Sequence, residues 1–332
     1  MKTHITNNEN VSLLLAVWLA TNEYNISDDP KVISATTLLK PLRQIVLAKQ
    51  NMGADKTMDV MAMVPSRMGT AIHDSVEKSW ENIDNVKEII KSMGISTDIV
   101  DRIVINPEGV VPDDAIPIYI EQRKEKAING WTISGAFDEV MDGRVYDIKI
   151  TSVWTHIFVS NDLKYIKQGS IYRCINPKLI TDELLQIEHI FTDWSGVKAR
   201  ADAKYPQARI LSKQLELMSV VDTHKFITDK LKSIDKYMLI TDQSKIPECT
   251  DEELLREADK YKYYAPKKDG TISYVRATKV FDDYELAYAH KLAKGTGEVI
   301  EVKGGVKACK YCAVRELCDQ HKELKVTGQI KE

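Results

Sequence analysis

The chain has 332 residues, 43% of them apolar and 29% charged, with 46 lysines and arginines against 49 aspartates and glutamates for a net charge of −3. That balance excludes a disordered or collagen-like chain and leaves ample length for a hydrophobic core. The slightly acidic total gives no global sign of nucleic-acid binding, so any such surface must be local.

The apolar run Val11–Ala20 is too short to span a bilayer as a helix, and it lacks the basic lead-in and cleavage site of a secretory signal. The expectation is a cytoplasmic protein without a membrane partner. Residues 11–20 and 35–50 show helical apolar spacing. Residues 51–67 read as a looser, Met-rich connection, after which Gly69 opens a helical stretch to about Ser92, ended by Met93-Gly94. Residues 96–117 are broken by three prolines and read as irregular. The period then changes. Residues 131–140 alternate as a strand, Asp142-Gly143 is a hairpin turn pair, and residues 145–150 resume as a second strand. A helix over 162–174, a strand over 184–194 and a long helix over 213–237 follow. Beyond Pro247, residues 261–265 and 272–276 flank Lys267-Lys268-Asp269-Gly270 as a second hairpin. A helix capped by Asp282 and a short strand at 299–302 complete the series.

The five cysteines are unevenly placed. Cys174 and Cys249 stand alone, while Cys309, Cys312 and Cys318 form C-x2-C-x5-C. An odd count argues against a disulfide framework. Three close thiolates suit a soft centre, either zinc or an iron–sulfur cluster. Cys249 is the candidate fourth ligand, with His321 or Cys174 as the fallback.

A second constellation lies on the first hairpin. Asp138 falls near the end of one strand, and Asp147 and Lys149 share one face of the next. Two carboxylates and an ammonium at one end of a β-ribbon all need partners. Phosphodiester hydrolysis gives them a purpose: the carboxylates hold a hard divalent ion, and the lysine orients a water or stabilises negative charge. Upstream, His73 and Glu77 lie one helical turn apart, and His73 offers a nitrogen ligand. Downstream, Gln168 and Tyr172 are also one turn apart.

In order, G-x-x-x-H, G-x-x-D, D-x-K and Q-x-x-x-Y resemble the PD-(D/E)XK nuclease superfamily, nearest to RecB-type domains, CRISPR-associated exonucleases and phage exonucleases. The resemblance covers roughly residues 69–194. It implies an α/β fold with a restriction-endonuclease-like core, a mixed sheet flanked by helices. It implies Mg²⁺ or Mn²⁺ bound by His73, Asp138, Asp147 and the Ile148 carbonyl, with Lys149 as catalytic lysine and Gln168 and Tyr172 orienting it or contacting the DNA backbone. Asp147 stands where this branch often has Glu. Iron–sulfur members carry the same cysteine triad after the core, which implies a 4Fe–4S cluster on Cys249, Cys309, Cys312 and Cys318, with Zn²⁺ as the alternative. In many members the first cysteine precedes the core; here none does. Residues 34–43, 191–194 and 247–250 resemble phage-encoded members.

The implied organisation is a helical N-terminal region (1–68), the nuclease core (69–200), a helical connection (201–245) and a C-terminal metal-cluster section with a basic hairpin (246–332). Residues 260–279 hold six lysines and arginines against one aspartate, interleaved with four tyrosines. Cations neutralise phosphates and rings stack on unpaired bases, so Lys262, Lys267, Lys268 and Arg276 are candidate DNA contacts, with Arg43, Arg67 and Lys164 as weaker ones. The tyrosines packed inward beneath a solvated hairpin is the competing reading. The expected function is a metal-dependent DNA exonuclease acting on single strands or duplex ends in a phage-infected or prokaryotic cell, with a possible recombination or replication protein partner. A structure-specific or single-strand endonuclease with the same site is one alternative. A catalytically decayed, cluster-stabilised DNA-binding protein is the other.

Overall fold

The computed structural model describes residues 3–21, 27, 29–159 and 161–330. Two compact units divide the chain: Met1–Lys40 with Met52–Ser233, and Pro41–Asn51 with Ile234–Glu332. In chain order the elements are β1 (Thr3–Thr6), α1 (Leu13–Ala20), β2 (Val32–Ser34), α2 (Ala35–Leu38), α3 (Leu42–Gln50), β3 (Lys56–Asp59), α4 (Val60–Ser79), α5 (Ile83–Ser92), α6 (Thr97–Asp101) and β4 (Ile103–Ile105). Three long strands follow: β5 (Ile116–Ile128), β6 (Trp131–Met141) and β7 (Arg144–Thr151). Then come α7 (Val153–Ile157), α8 (Asp162–Ile175), β8 (Leu184–Phe191), α9 (Gly196–Ala201), β9 (Ile210–Glu216) and α10 (Val220–Met238). Among the described residues, no helix is long and apolar enough to cross a membrane.

The larger unit is a mixed α/β fold. Its sheet runs β4-β5-β6-β7-β8-β9, with β2 also paired to β6. β5, β6 and β7 form an antiparallel meander, β8 runs parallel to β7, and β9 closes the far edge antiparallel to β8. Both tight turns of the meander are two-residue loops with positive φ at each position, Asn129-Gly130 and Asp142-Gly143. That is the backbone hand which matches strand twist and which Asn, Asp and Gly tolerate. α8 lies on one face because two glycines let it approach. A Cβ at Gly135 would stand 3.0 Å from the Tyr172 ring, and one at Gly169 would stand 2.9 Å from Leu217. Ile133, Phe137, Val145, Leu185, Ile187 and Ile171 are buried between these layers, each contributing about 1.5–3 kcal/mol of apolar burial, while Ile118 is buried with Ile103 and Ile120 against Trp80, Ile83 and Ile90.

Several expected elements change. The single helix expected over 35–50 is two, broken at Pro41, whose ring cannot continue α2 and which caps α3 instead. The stretch read as a connection before Gly69 is helix from Val60, because the Asp59 side chain accepts from the Met61 amide and caps it. Residues 103–105 and 116–128 are strands within or beside the segment read as irregular. Residues 210–216 lie in the expected helical connection, with 213–216 the expected start of its long helix; they are instead the edge strand β9, whose exposure alternates along the strand, the period of two that a helix lacks.

In the smaller unit, β10 (Lys260–Tyr264) is the centre of a three-stranded antiparallel sheet between β11 (Lys279–Phe281) and β12 (Glu298–Val302). The expected hairpin partner at 272–276 makes one isolated bridge, Pro266 with Ile272, and the sheet partner is β11. α11 (Tyr284–Lys294) is capped by Asp283, one residue after the expected Asp282, through a bond from the Leu286 amide. α12 (Asp319–Val326) follows the cysteine triad.

Candidate functional site

The register of the meander builds the first site. The β6–β7 ladder pairs Glu139 with Tyr146, Val140 with Val145 and Met141 with Arg144, and then stops. The next opposed residues would be Asp138 and Asp147. Beyond that point β7 pairs only with β8, so the sheet forks. On the other side, the β5–β6 ladder skips one position, where Glu121 faces Asp138. Among the described residues, Asp138 is the one β6 residue with no ladder partner on either side. Glu121 has φ 46°, a left-handed backbone within a strand, which is an outlier for a side chain of its size.

The carboxylates occupy this gap. The Ile148 amide, freed from the ladder, donates to Asp138 Oδ2 at 2.6 Å. His73 on α4 places Nδ1 3.5 Å from Asp138 Oδ1 and 3.7 Å from Glu121 Oε1. Ligand atoms of His73, Glu121 and Asp138 all lie within 4.8 Å of one another. Glu77, Trp80, Glu139 and Ile148 help line the same cleft. Burial, and then the neighbouring Asp147 carboxylate, push the Asp138 carboxyl up to about 7. The Glu121 carboxylate, aided by Asp138, outweighs burial and raises His73.

Asp147 and Lys149 face α8. Asp147 is buried and forms an ion pair with the Lys149 ammonium. Lys149 Nζ donates to Gln168 Oε1 at 3.2 Å, and Gln168 Nε2 donates to the Tyr172 hydroxyl at 2.7 Å and to Asp147 Oδ1 at 3.4 Å. The ammonium also lies 5.2 Å from the Tyr165 ring centre. Burial alone would pull Lys149 down, but Asp147 outweighs it and the net shift is upward. Burial likewise raises Tyr172.

The sequence-derived residues His73, Asp138, Asp147, Ile148, Lys149, Gln168 and Tyr172 therefore meet at one fork. Glu121 is the residue that reading missed. Its signal was Asn129-Gly130: counting back from that turn as from a hairpin places Glu121 opposite Asp138.

A second site lies in the smaller unit. Cys249, Cys309, Cys312 and Cys318 line one small pocket with Arg43, Gln320 and His321. Cys174 is in α8 of the larger unit, half-buried. Short turns deliver the triad: the Cys312 amide donates to the Cys309 carbonyl, and the Cys318 amide to the Arg315 carbonyl. Gln320 clamps the fourth cysteine, accepting from the Cys249 amide at 2.9 Å and donating to its carbonyl at 3.0 Å. Burial, then neighbouring Glu253 and the other cysteines, push the Cys249 thiol up to about 12; burial and Cys312 push Cys309 up to about 11. Among the described residues, no three of these sulfurs lie within 4.8 Å of one another.

The phosphate candidates divide. Lys267, Lys268 and Arg276 are exposed and Lys262 is half-buried. Tyr263 and Tyr264 are buried, with Tyr263 against His290; Tyr274 is exposed. Arg67 lies against the Trp18 ring, and its Nε donates to the Trp18 carbonyl at 3.1 Å. Lys164 is pulled down by burial, then by Lys149 and Lys40. Arg43 is no surface contact: it is 3% exposed, with its guanidinium bonded inside the cysteine pocket.

No family model and no curated protein matches the chain. Among solved structures, the crystal structure of SSO0001 is similar at 15% identity over 66% of this chain and 83% of its own, with a TM-score of 0.35.

Proposed function

We propose that the chain is a Mg²⁺- or Mn²⁺-dependent deoxyribonuclease with a PD-(D/E)XK core, acting as an exonuclease on single strands or duplex ends in DNA recombination, replication or degradation. The observation that carries this reading is the convergence of His73, Glu121 and Asp138 within 4.8 Å at the fork, beside an Asp147–Lys149 ion pair.

The donor set fits such an ion. Burial first, and then repulsion from the Asp147 carboxylate, raise the Asp138 carboxyl, and a divalent cation would offset both. Oxygen donors suit Mg²⁺, and the imidazole favours Mn²⁺. His73, Glu121 and Asp138 would hold the ion, with Asp147 and the Ile148 carbonyl beside them. When bound, the ion polarises a phosphate oxygen and acidifies a water. Lys149 stays protonated because Asp147 outweighs burial, so it serves as a cation that stabilises charge on the phosphate rather than as a base. Gln168 fixes that cation from one side, and the protonated Tyr172 anchors Gln168.

The four cysteines would hold a 4Fe–4S cluster. Their pocket supplies four sulfur donors. Zn²⁺ on the same four sulfurs is the alternative.

The test is purified protein with Mn²⁺ on end-labelled linear and circular single strands, beside Lys149→Ala. Expected is metal-dependent degradation of linear strands with circles left intact, and a loss of about 10²–10³-fold in the variant. Cutting of circles establishes the endonuclease reading instead. No cleavage by the intact protein overturns both.

A further inference from the structure

Arg43 is a buried cation with no carboxylate partner among the described residues. It projects from α3 and is 3% exposed. Its Nη1 donates to the carbonyls of Gln243 at 3.0 Å and Ile246 at 2.9 Å, and its Nη2 to Gln243 Oε1 at 3.0 Å. Its Nε donates to Cys318 Sγ at 3.2 Å. Among the described residues, no carboxylate pairs with it. Arginine does not deprotonate in proteins, and a buried charge is tolerated only when something of opposite sign stands near it. The remaining acceptors are neutral amides and carbonyls. The one group able to carry negative charge in its shell is the Cys318 sulfur, which lines the same pocket as Cys249, Cys309 and Cys312.

We infer that Arg43 is the built-in counter-cation of an anionic metal–thiolate centre, and that it positions the Cys318 ligand. The inference rests on the reading that the four cysteines bind metal, and it deepens that reading. Four thiolates around either Zn²⁺ or an oxidised 4Fe–4S core leave the centre doubly negative, which matches a buried guanidinium. Four free thiols are neutral and leave Arg43 unmatched. The planar fork explains why the residue is arginine: one group reaches a sulfur, two carbonyls and an amide at once. Gln243 extends the hold, because its Oε1 also accepts from the Asp319 amide at 3.1 Å and its Nε2 donates to the Leu317 carbonyl at 2.8 Å. The two residues flanking Cys318 are thus tied to the group that Arg43 grips. Packing fixes the base of the arginine: Val46 and Leu47 of α3 lie in one apolar cluster with Ile246, Val314 and Cys318.

The experiment uses full-length protein purified anaerobically, as wild type, Arg43→Lys and Arg43→Gln. Bound iron, sulfide and zinc are counted, the rate of metal loss to excess chelator is followed, and melting is measured loaded and stripped. Arg43→Gln keeps hydrogen-bond donors but drops the charge. It should lose metal at least about tenfold faster than wild type, while melting no lower than wild type once both are stripped. Arg43→Lys keeps the charge and should lie between the two in metal retention. Wild-type retention in Arg43→Gln overturns the proposal, as does an equal drop in melting with and without metal, which a merely structural arginine would give. Absence of bound iron and zinc from the wild type overturns the centre itself, and the proposal with it.

Discussion

The two candidate centres gather their ligands by opposite means. At the fork, long strands do the placing: the register of β5, β6 and β7 decides that Glu121, Asp138 and Asp147 oppose one another, and α8 delivers Gln168 onto the same face. In the cysteine pocket, short turns carry the ligands, and side chains clamp the backbone where ladders are lacking, Gln320 on Cys249 and Arg43 on Cys318. A site made by sheet register exists before its ion arrives. A site made by turns and clamps depends on its metal for order, because metal binding there is coupled to folding.

The sharpest way to break this contrast is to remove one ligand from each. Asp138→Asn should reduce nuclease activity by about 10²–10³-fold yet leave the metal-free fold at least as stable at pH 8. The Asp138 carboxyl is raised from 3.8 to about 7, so the folded state holds a proton that the unfolded state releases, and stability falls as pH climbs through that window. Thermal melts against pH check this; a marked loss of stability at pH 8 would sink the preformed-site argument. Cys312→Ser should do the reverse. It should lower the melting temperature by at least about 4 °C, roughly 1 kcal/mol for a unit of this size, while Mn²⁺ affinity by titration calorimetry stays at the wild-type value. Unchanged melting would show that the pocket needs no metal.

A smaller effect tests the ligand that sequence reading overlooked. Glu121→Gln should weaken Mn²⁺ binding by about tenfold, roughly 1.4 kcal/mol, with no effect on metal in the cysteine pocket. Wild-type affinity in that variant would remove Glu121 from the ligand set.

The smallest effect concerns the sheet that carries the fork. His189 on β8 is 1% exposed, it meets the His156 ring edge-on, and the Nδ1 atom of each is buried without a hydrogen-bond partner. Burial, then His156, lower His189 below its ordinary 6.5, with Lys213 adding to this and Asp162 opposing; burial, then Lys213, lower His156. The unfolded chain takes up protons first as pH falls below about 6.5, so this pair's contribution is complete above that value and is lost as pH falls through the lowered values of the folded pair. His189→Phe, which keeps a ring against Phe191, should flatten the slope of melting temperature between pH 7 and 5. An equally steep slope would assign acid sensitivity elsewhere.

How much of this was legible in the sequence follows from what carries each feature. Asp142-Gly143 announced one hairpin, and with it the shared face of Asp147 and Lys149. Asn129-Gly130 announces the other in the same chemistry, but Pro107, Pro112 and Pro117 break the pattern ahead of it and mask the start of β5, and Glu121 with it. The break at Pro41 was written in the chain; that it would deliver Arg43 to a sulfur 275 residues away was not, since no local pattern encodes a contact at that separation. Sequence alone reads Arg43 as a surface cation, and only packing shows it to be buried. The same holds for Tyr263 and Tyr264, which fill the smaller unit's interior, while Tyr274 keeps its ring in solvent.

Glu121 holds a left-handed backbone at φ 46°, a conformation that costs roughly 1–3 kcal/mol for an ordinary residue and almost nothing for glycine. The substitution that would make this strand most comfortable is therefore the one that deletes a carboxylate from the fork. Glycine there would ease the backbone and cost the fork one of its three converging donors.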